Sequence, residues 1–262
     1  MSGENQLQRT EFNLRLKIGG EELLAKVSVP AAPIRPIDLL PVIQGLDDAV
    51  VDAAVEAVRR QGKTISCRAG CGACCRQLVP ISRTEAHCLA ELIVNLSEDR
   101  RTRVLNRFQD AAATLGARGL LDRLRAAPQW TDADQQGQLA REYFRAQVAC
   151  PLLEEESCSI YADRPLSCRE YLVTSPAAWC RDPDCGAIEK VHLDAKATQV
   201  LFRFDDGVGR GESSWLPLVL TLEWAVAHGP QWQPKLPGDR LFQNFLDRLA
   251  EQGKVGGENN RG

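Results

Sequence analysis

Four cysteines fall within nine residues, Cys67, Cys71, Cys74 and Cys75, in the run Cys-Arg-Ala-Gly-Cys-Gly-Ala-Cys-Cys. A thiolate is a soft, charged ligand, so groups of them select zinc, copper(I) or iron–sulfur clusters over magnesium or calcium. The small residues between these cysteines let the backbone wrap an ion, and Gly70 and Gly72 are free to take positive φ. Cys74 and Cys75 are consecutive and normally point apart. Both reach one ion only in a sharply turned backbone; otherwise one bridges or stands behind the ligands. A second set follows: Cys150 opens Cys-Pro-Leu-Leu, Cys158 opens Cys-Ser-Ile-Tyr, and Cys168 lies in Arg-Pro-Leu-Ser-Cys-Arg-Glu-Tyr, residues 164–171. Thiolates from both regions could converge on one site. Four thiolates round zinc carry a net formal charge of about −2, which favours nearby cations, and Arg68, Arg76, Arg164 and Arg169 are placed to supply them.

The order Cys67-x3-Cys71-x2-Cys74-Cys75, Cys150-Pro-Leu-Leu, Cys158-Ser-Ile-Tyr161, Arg164-Pro165 and Cys168-Arg169-x-Tyr171 resembles the YkgJ family of cysteine-cluster proteins, described as zinc- or iron-chelating. The resemblance implies metal at Cys67, Cys71, Cys74, Cys75, Cys150, Cys158 and Cys168. Flagellin lysine methylases carry a similar cluster, which raises an iron–sulfur centre as the alternative without transferring methylase activity. The spacing Cys67-x3-Cys71-x2-Cys74 also matches the cluster loop of radical SAM enzymes, but no strand–helix barrel pattern follows, and Ala73 stands where an aromatic residue is usual. Cys180 and Cys185 have no place in the family pattern and read equally as a second site, extra ligands or free thiols. Cys88 lies among apolar helix positions and reads as core. His87, His192 and His228 are scattered and read as surface or capping residues.

Ten cysteines in 262 residues suggest metal rather than disulfides, since reducing cytosol disfavours structural disulfides. The opening Met1–Arg9 lacks the apolar stretch of a secretory signal. The most apolar window, 215–227, is interrupted by Pro217, Thr221 and Glu223 and is too short to span a bilayer. A net charge of −3 exerts no general pull on nucleic acid or anionic membranes. The expected protein is cytoplasmic, with a metal ion as partner and neither nucleic acid nor membrane. Gly207, Gly209 and Gly211 lack a Walker lysine and read as a flexible connection. Arg100, Arg101, Arg103, Arg107, Arg123 and Arg125 alternate with acids and read as a solvated helix face.

The elements that must position these cysteines are mostly helical. Phe12, Leu14, Leu16 and Ile18, then Ala25, Val27 and Val29, alternate with polar residues about Gly19-Gly20 and predict a β-hairpin. A Pro-rich linker leads to a helix over about 38–60. Ser82-x-x-Glu85 is a capping box opening a second helix, so the cysteine loop is anchored between two helices. Further helices are expected from Ser97, broken near 116–119 and ended by Pro128, and over 132–147. Residues 150–161 suit a small knuckle, and Pro165 suits the first turn of a helix carrying Cys168. A strand is expected within 191–204, and helices near 215–228 and 238–251. The fold class is mainly α with small β elements (α+β). The expected partition is 1–35 as hairpin and linker, 36–252 as a helical cysteine-cluster metal-binding domain, and 253–262 as a disordered tail.

Overall fold

The alternating N-terminal segment pairs as a long ribbon in the computed structural model, which describes residues 8–18, 21–182, 184–186, 188–204, 215–229 and 235–252. Strand β1 (Arg9–Ile18) runs antiparallel to β2 (Glu21–Pro30), with Phe12 opposite Val27 and Leu14 opposite Ala25. Because strand side chains alternate between faces, Phe12, Leu14 and Leu16 are all buried on one side. The expected Gly19-Gly20 turn, the 207–211 connection and the 253–262 tail lie outside the described residues. After β3 (Pro33–Ile34), α1 (Pro36–Arg60) starts on a proline, whose missing N–H costs nothing there. The Arg35 N–H donates to the Asp38 carboxylate at 2.9 Å, closing the first turn. Gly62, at φ +74°, ends the run before the cysteine loop.

Strand β4 (Pro80–Ser82) feeds α2 (Arg83–Val94), whose capping box forms as expected between Ser82 and Glu85. Helix α3 (Glu98–Ala117), a break at Gly119, and α4 (Leu121–Ala126) follow, and Pro128 falls in a closing 3-10 turn. Helix α5 (Ala133–Arg145) is capped by the Asp132 carboxylate, which accepts from the Asp134 and Gln135 N–H groups. The knuckle is β5 (Leu153–Glu154) paired with β6 (Ser157–Cys158), and α6 (Leu166–Arg169) is a single turn. Pro165 takes the N-cap with extended ψ rather than a place inside that turn.

Two expectations are corrected. Residues 191–204 contain α7 (Ala197–Leu201), not a strand. The segment from Trp215 opens as β7 (Trp215–Pro217), pairing with β4, and becomes helical only at α8 (Thr221–His228). The cause is local: the residue before a proline is held to extended backbone, so Leu216 cannot start a helix. Strand β8 (Leu236–Pro237) pairs with β3, and α9 (Gly238–Ala250) completes the described chain.

The class is therefore mainly α with small antiparallel pairs. One core joins the ribbon to α1, α7 and α9, where Phe12 meets Phe242 edge-on at 5.0 Å. A second lies between α2 and α3, beneath Leu152 and Ile160. A third gathers the end of α3 with α4 and α5. The cysteine loop and the knuckle meet beside the second core.

Candidate metal centre

The loop of residues 67–75 is held by backbone bonds to a segment a hundred residues away. The Ser66 N–H donates to the Val173 carbonyl at 2.9 Å, and the Val173 N–H donates back to the Cys67 sulfur at 3.4 Å. Within the loop, the Cys75 N–H reaches the Gly72 carbonyl and the Gln77 N–H the Cys74 carbonyl, both at 3.0 Å, so the backbone is sharply turned where two cysteines adjoin. Gly70 takes φ +84°. Gly72 is required by proximity instead: a Cβ there would lie 2.5 Å from the Glu156 carbonyl oxygen and 2.6 Å from Leu153 Cδ1. The knuckle thus rests directly on the loop, and the Cys150 N–H donates to the Cys75 carbonyl at 2.7 Å.

The knuckle turns through Glu155 and Glu156, both at positive φ, a conformation that normally favours glycine or asparagine. Glu156 is held by Arg76 at 2.5 Å and Arg181 at 2.6 Å, so two cations fasten an otherwise costly turn to the loop. On the far side, Glu85 does more than cap α2. One carboxylate oxygen accepts from the Ser82 N–H and hydroxyl at 2.8 and 2.9 Å, while the other accepts from the Leu166 N–H at 2.7 Å. This buried carboxylate ties the start of α2 to the start of α6, the turn carrying Cys168. The capping box was visible in the sequence; the reach to Leu166 had no local signal.

All seven expected ligands, Cys67, Cys71, Cys74, Cys75, Cys150, Cys158 and Cys168, line a single cavity of about 110 Å³. Cys180 lines it too, whereas Cys185 and Cys88 do not; Cys88 packs against the α1 core, as expected. All ten cysteines are unpaired thiols. No histidine lines the cavity: His87 and His228 both pack on Trp224, and His192 lies near Asp194. Among the described residues no three Cys, His, Asp or Glu side chains already stand in ion-ligating geometry, so the cysteines share a cavity rather than a finished shell. The donor set is nonetheless all sulfur, carried on turned loops and one short helix. That chemistry fits zinc or iron and does not fit a hard ion.

Burial dominates the electrostatics. It pushes the Cys150 thiol up to about 12, and raises Cys67, Cys158 and, strongly, Cys168. Cys74 is raised first by its sulfur hydrogen bond to Cys75 and then by burial. Cys74 also acts on Cys67, Cys150, Cys158, Cys168 and Cys180, which places it at the middle of the set. Of the four expected cations, Arg68 and Arg164 face the cavity, while Arg76 and Arg169 are engaged by Glu156 and Asp48. Arg164 stacks on Tyr161 at 3.8 Å, its Nε is buried without a hydrogen-bond partner, and its charge favours the thiolates of Cys67, Cys74, Cys158 and Cys168. A larger cleft of about 560 Å³ abuts the cavity and shares Cys67, Tyr161, Arg164 and Leu172 with it.

A family model described as "CxxCxxCC: Putative zinc- or iron-chelating domain" matches residues 66–186. That description is the one used for the YkgJ family, and the matched residues resemble its domain. The matched segment spans both cysteine regions and includes Cys180 and Cys185, and its description supports a metal-binding role. No curated protein and no solved structure matches the chain.

Proposed function

We propose that this YkgJ-like segment is a thiolate metal centre for zinc or iron, with Cys67, Cys71, Cys74, Cys75, Cys150, Cys158 and Cys168 as its ligand set. The observation that carries this reading is the meeting of two cysteine regions, far apart in sequence, in one cavity. The metal would join the loop to the knuckle and to α6, so its binding free energy would add directly to folding. Arg164 and Arg68 would offset the charge of the bound thiolates. On this reading residues 36–252 form the metal-binding unit, with residues 1–35 as an appended hairpin and linker. The partner is a metal ion, and the location is a reducing cytoplasm, where thiols serve metals more readily than disulfides. Among the described residues no helix is long and apolar enough to cross a membrane.

The adjoining cleft supports a second reading, an iron–sulfur redox or protein-modifying enzyme, because a cavity opening onto a cleft with Asp48, Asp52, Arg59 and Lys63 has room for a substrate. One experiment separates the two. Protein purified without oxygen is assayed for zinc, iron and acid-labile sulfide. Zinc without sulfide, in colourless protein, supports the first reading and removes the second; iron with matching sulfide does the reverse. Folded protein with no metal and ten freely titrating thiols contradicts both.

A further inference from the structure

Cys180 is not among the seven cysteines expected as ligands, yet it is 2 % exposed and lines the same cavity as they do. Gln77 holds it there, donating to the Cys180 carbonyl at 3.0 Å and to the Tyr171 hydroxyl at 3.3 Å. A tetrahedral thiolate site takes four ligands, so eight sulfurs in one cavity amount to two such sets. The packing divides them. Cys67, Cys71, Cys74 and Cys180 gather round Ala73 and Val173 in one apolar cluster. Cys150 and Cys158 belong to the neighbouring cluster with Leu152 and Ile160. The Cys75 carbonyl is bonded to the Cys150 N–H, and the thiol acting most strongly on Cys168 is Cys150. Cys74 belongs to the first cluster, while Cys75 is tied by its backbone to the Cys150 segment, so the pair stands at the junction of the two sets.

We propose that the cavity holds two adjacent four-thiolate subsites, one of Cys67, Cys71, Cys74 and Cys180, the other of Cys75, Cys150, Cys158 and Cys168. Each takes one soft divalent ion of the zinc class. The inference rests on the thiolate-centre reading and adds to it Cys180 and a second ion. Side-chain rotation on binding completes each shell, and the Cys74–Cys75 sulfur contact keeps the two sets adjoining. Arg68 and Arg164 are the cations facing the pair.

The test is titration of the reduced, metal-free full chain with cobalt(II), followed by thiolate-to-cobalt charge-transfer absorption and by metal analysis after desalting. Wild type is expected to saturate at two equivalents. Cys180→Ser and Cys158→Ser are each expected to saturate at one while keeping the wild-type circular dichroism. Saturation of wild type at one equivalent, or of Cys180→Ser at two, overturns the proposal. So does a single iron–sulfur cluster in the purified protein that Cys180→Ser leaves unchanged. If Cys180→Ser does not fold, wild type and Cys158→Ser decide the matter. Absence of any thiolate–cobalt band in folded wild type would instead sink the underlying thiolate-centre reading.

Discussion

Gly72 has no side chain because the knuckle leaves no room for one. Gly72→Ala must push the loop off Glu156 and Leu153, and overpacking of this kind costs about 1–3 kcal/mol. The denaturant midpoint should fall, and metal content with it; an unchanged midpoint would mean that the two regions are not in close contact. A second residue bears on pH. Asp47, on α1, is 1 % exposed, and its carboxyl group adjoins that of Glu170. Burial first, then the neighbouring Glu170 and Asp48, push it up to about 9, against the opposing pull of Arg169. Glu170 is itself raised by burial and accepts from the Thr198 N–H at 2.8 Å. Because the folded value lies above the unfolded one near 4, the fold holds this proton more tightly than the unfolded chain does. The resulting stability is complete below about pH 4 and is lost as pH rises towards 9. Urea midpoints measured from pH 5 to 9 should decline in wild type and decline less in Asp47→Asn. Equal slopes would show that Asp47 is not the group responsible.

At the scale of elements, the local signals that sequence carries well are caps, turns and periodicity. The Ser82–Glu85 box starts α2 where the pattern puts it, and the 150–161 knuckle forms as a two-stranded turn. The 191–204 segment misleads because two periods overlap in it. Leu193, Ala195 and Ala197 alternate as in a strand, whereas Ala197, Val200, Leu201 and Phe204 follow a helical period, and all of them are buried. Both signals are realised in part: the Val191 N–H bonds the Leu172 carbonyl next to an antiparallel bridge between Val173 and Lys190, and a helix follows. Glu85 joins two elements, and its removal should be felt in both. Glu85→Ala leaves the buried N–H groups of Ser82 and Leu166 without acceptors, a loss of about 1–3 kcal/mol for each group left unpaired. Thermal unfolding should shift downward, and metal retention should drop because Cys168 loses its positioning. Loss of stability with full metal retention would show that α6 is placed by other contacts.

At the scale of the whole molecule, the site's parts were legible in the sequence but its wall was not. The seven pattern cysteines follow from the family resemblance, whereas Cys180 carries no such signal, because tertiary packing of residues 171–180 on the loop is what brings it in. The same architecture predicts where metal should matter. Chelation under reducing conditions should raise hydrogen exchange in the 66–77 loop and the 150–169 segment, while the core shared by β1, α1 and α9 keeps its protection. Uniform loosening would mean that the metal supports the entire fold, and no change would mean that it supports none of it. Whether both cysteine regions bind metal within one cavity is read from the metal content of single serine variants. Cys71→Ser, in the loop, and Cys168→Ser, on α6, are each predicted to lose at least one bound ion when purified without oxygen, while Cys88→Ser, in the α1 core, retains the wild-type amount. Equal metal in all three variants would mean that these cysteines do not bind it.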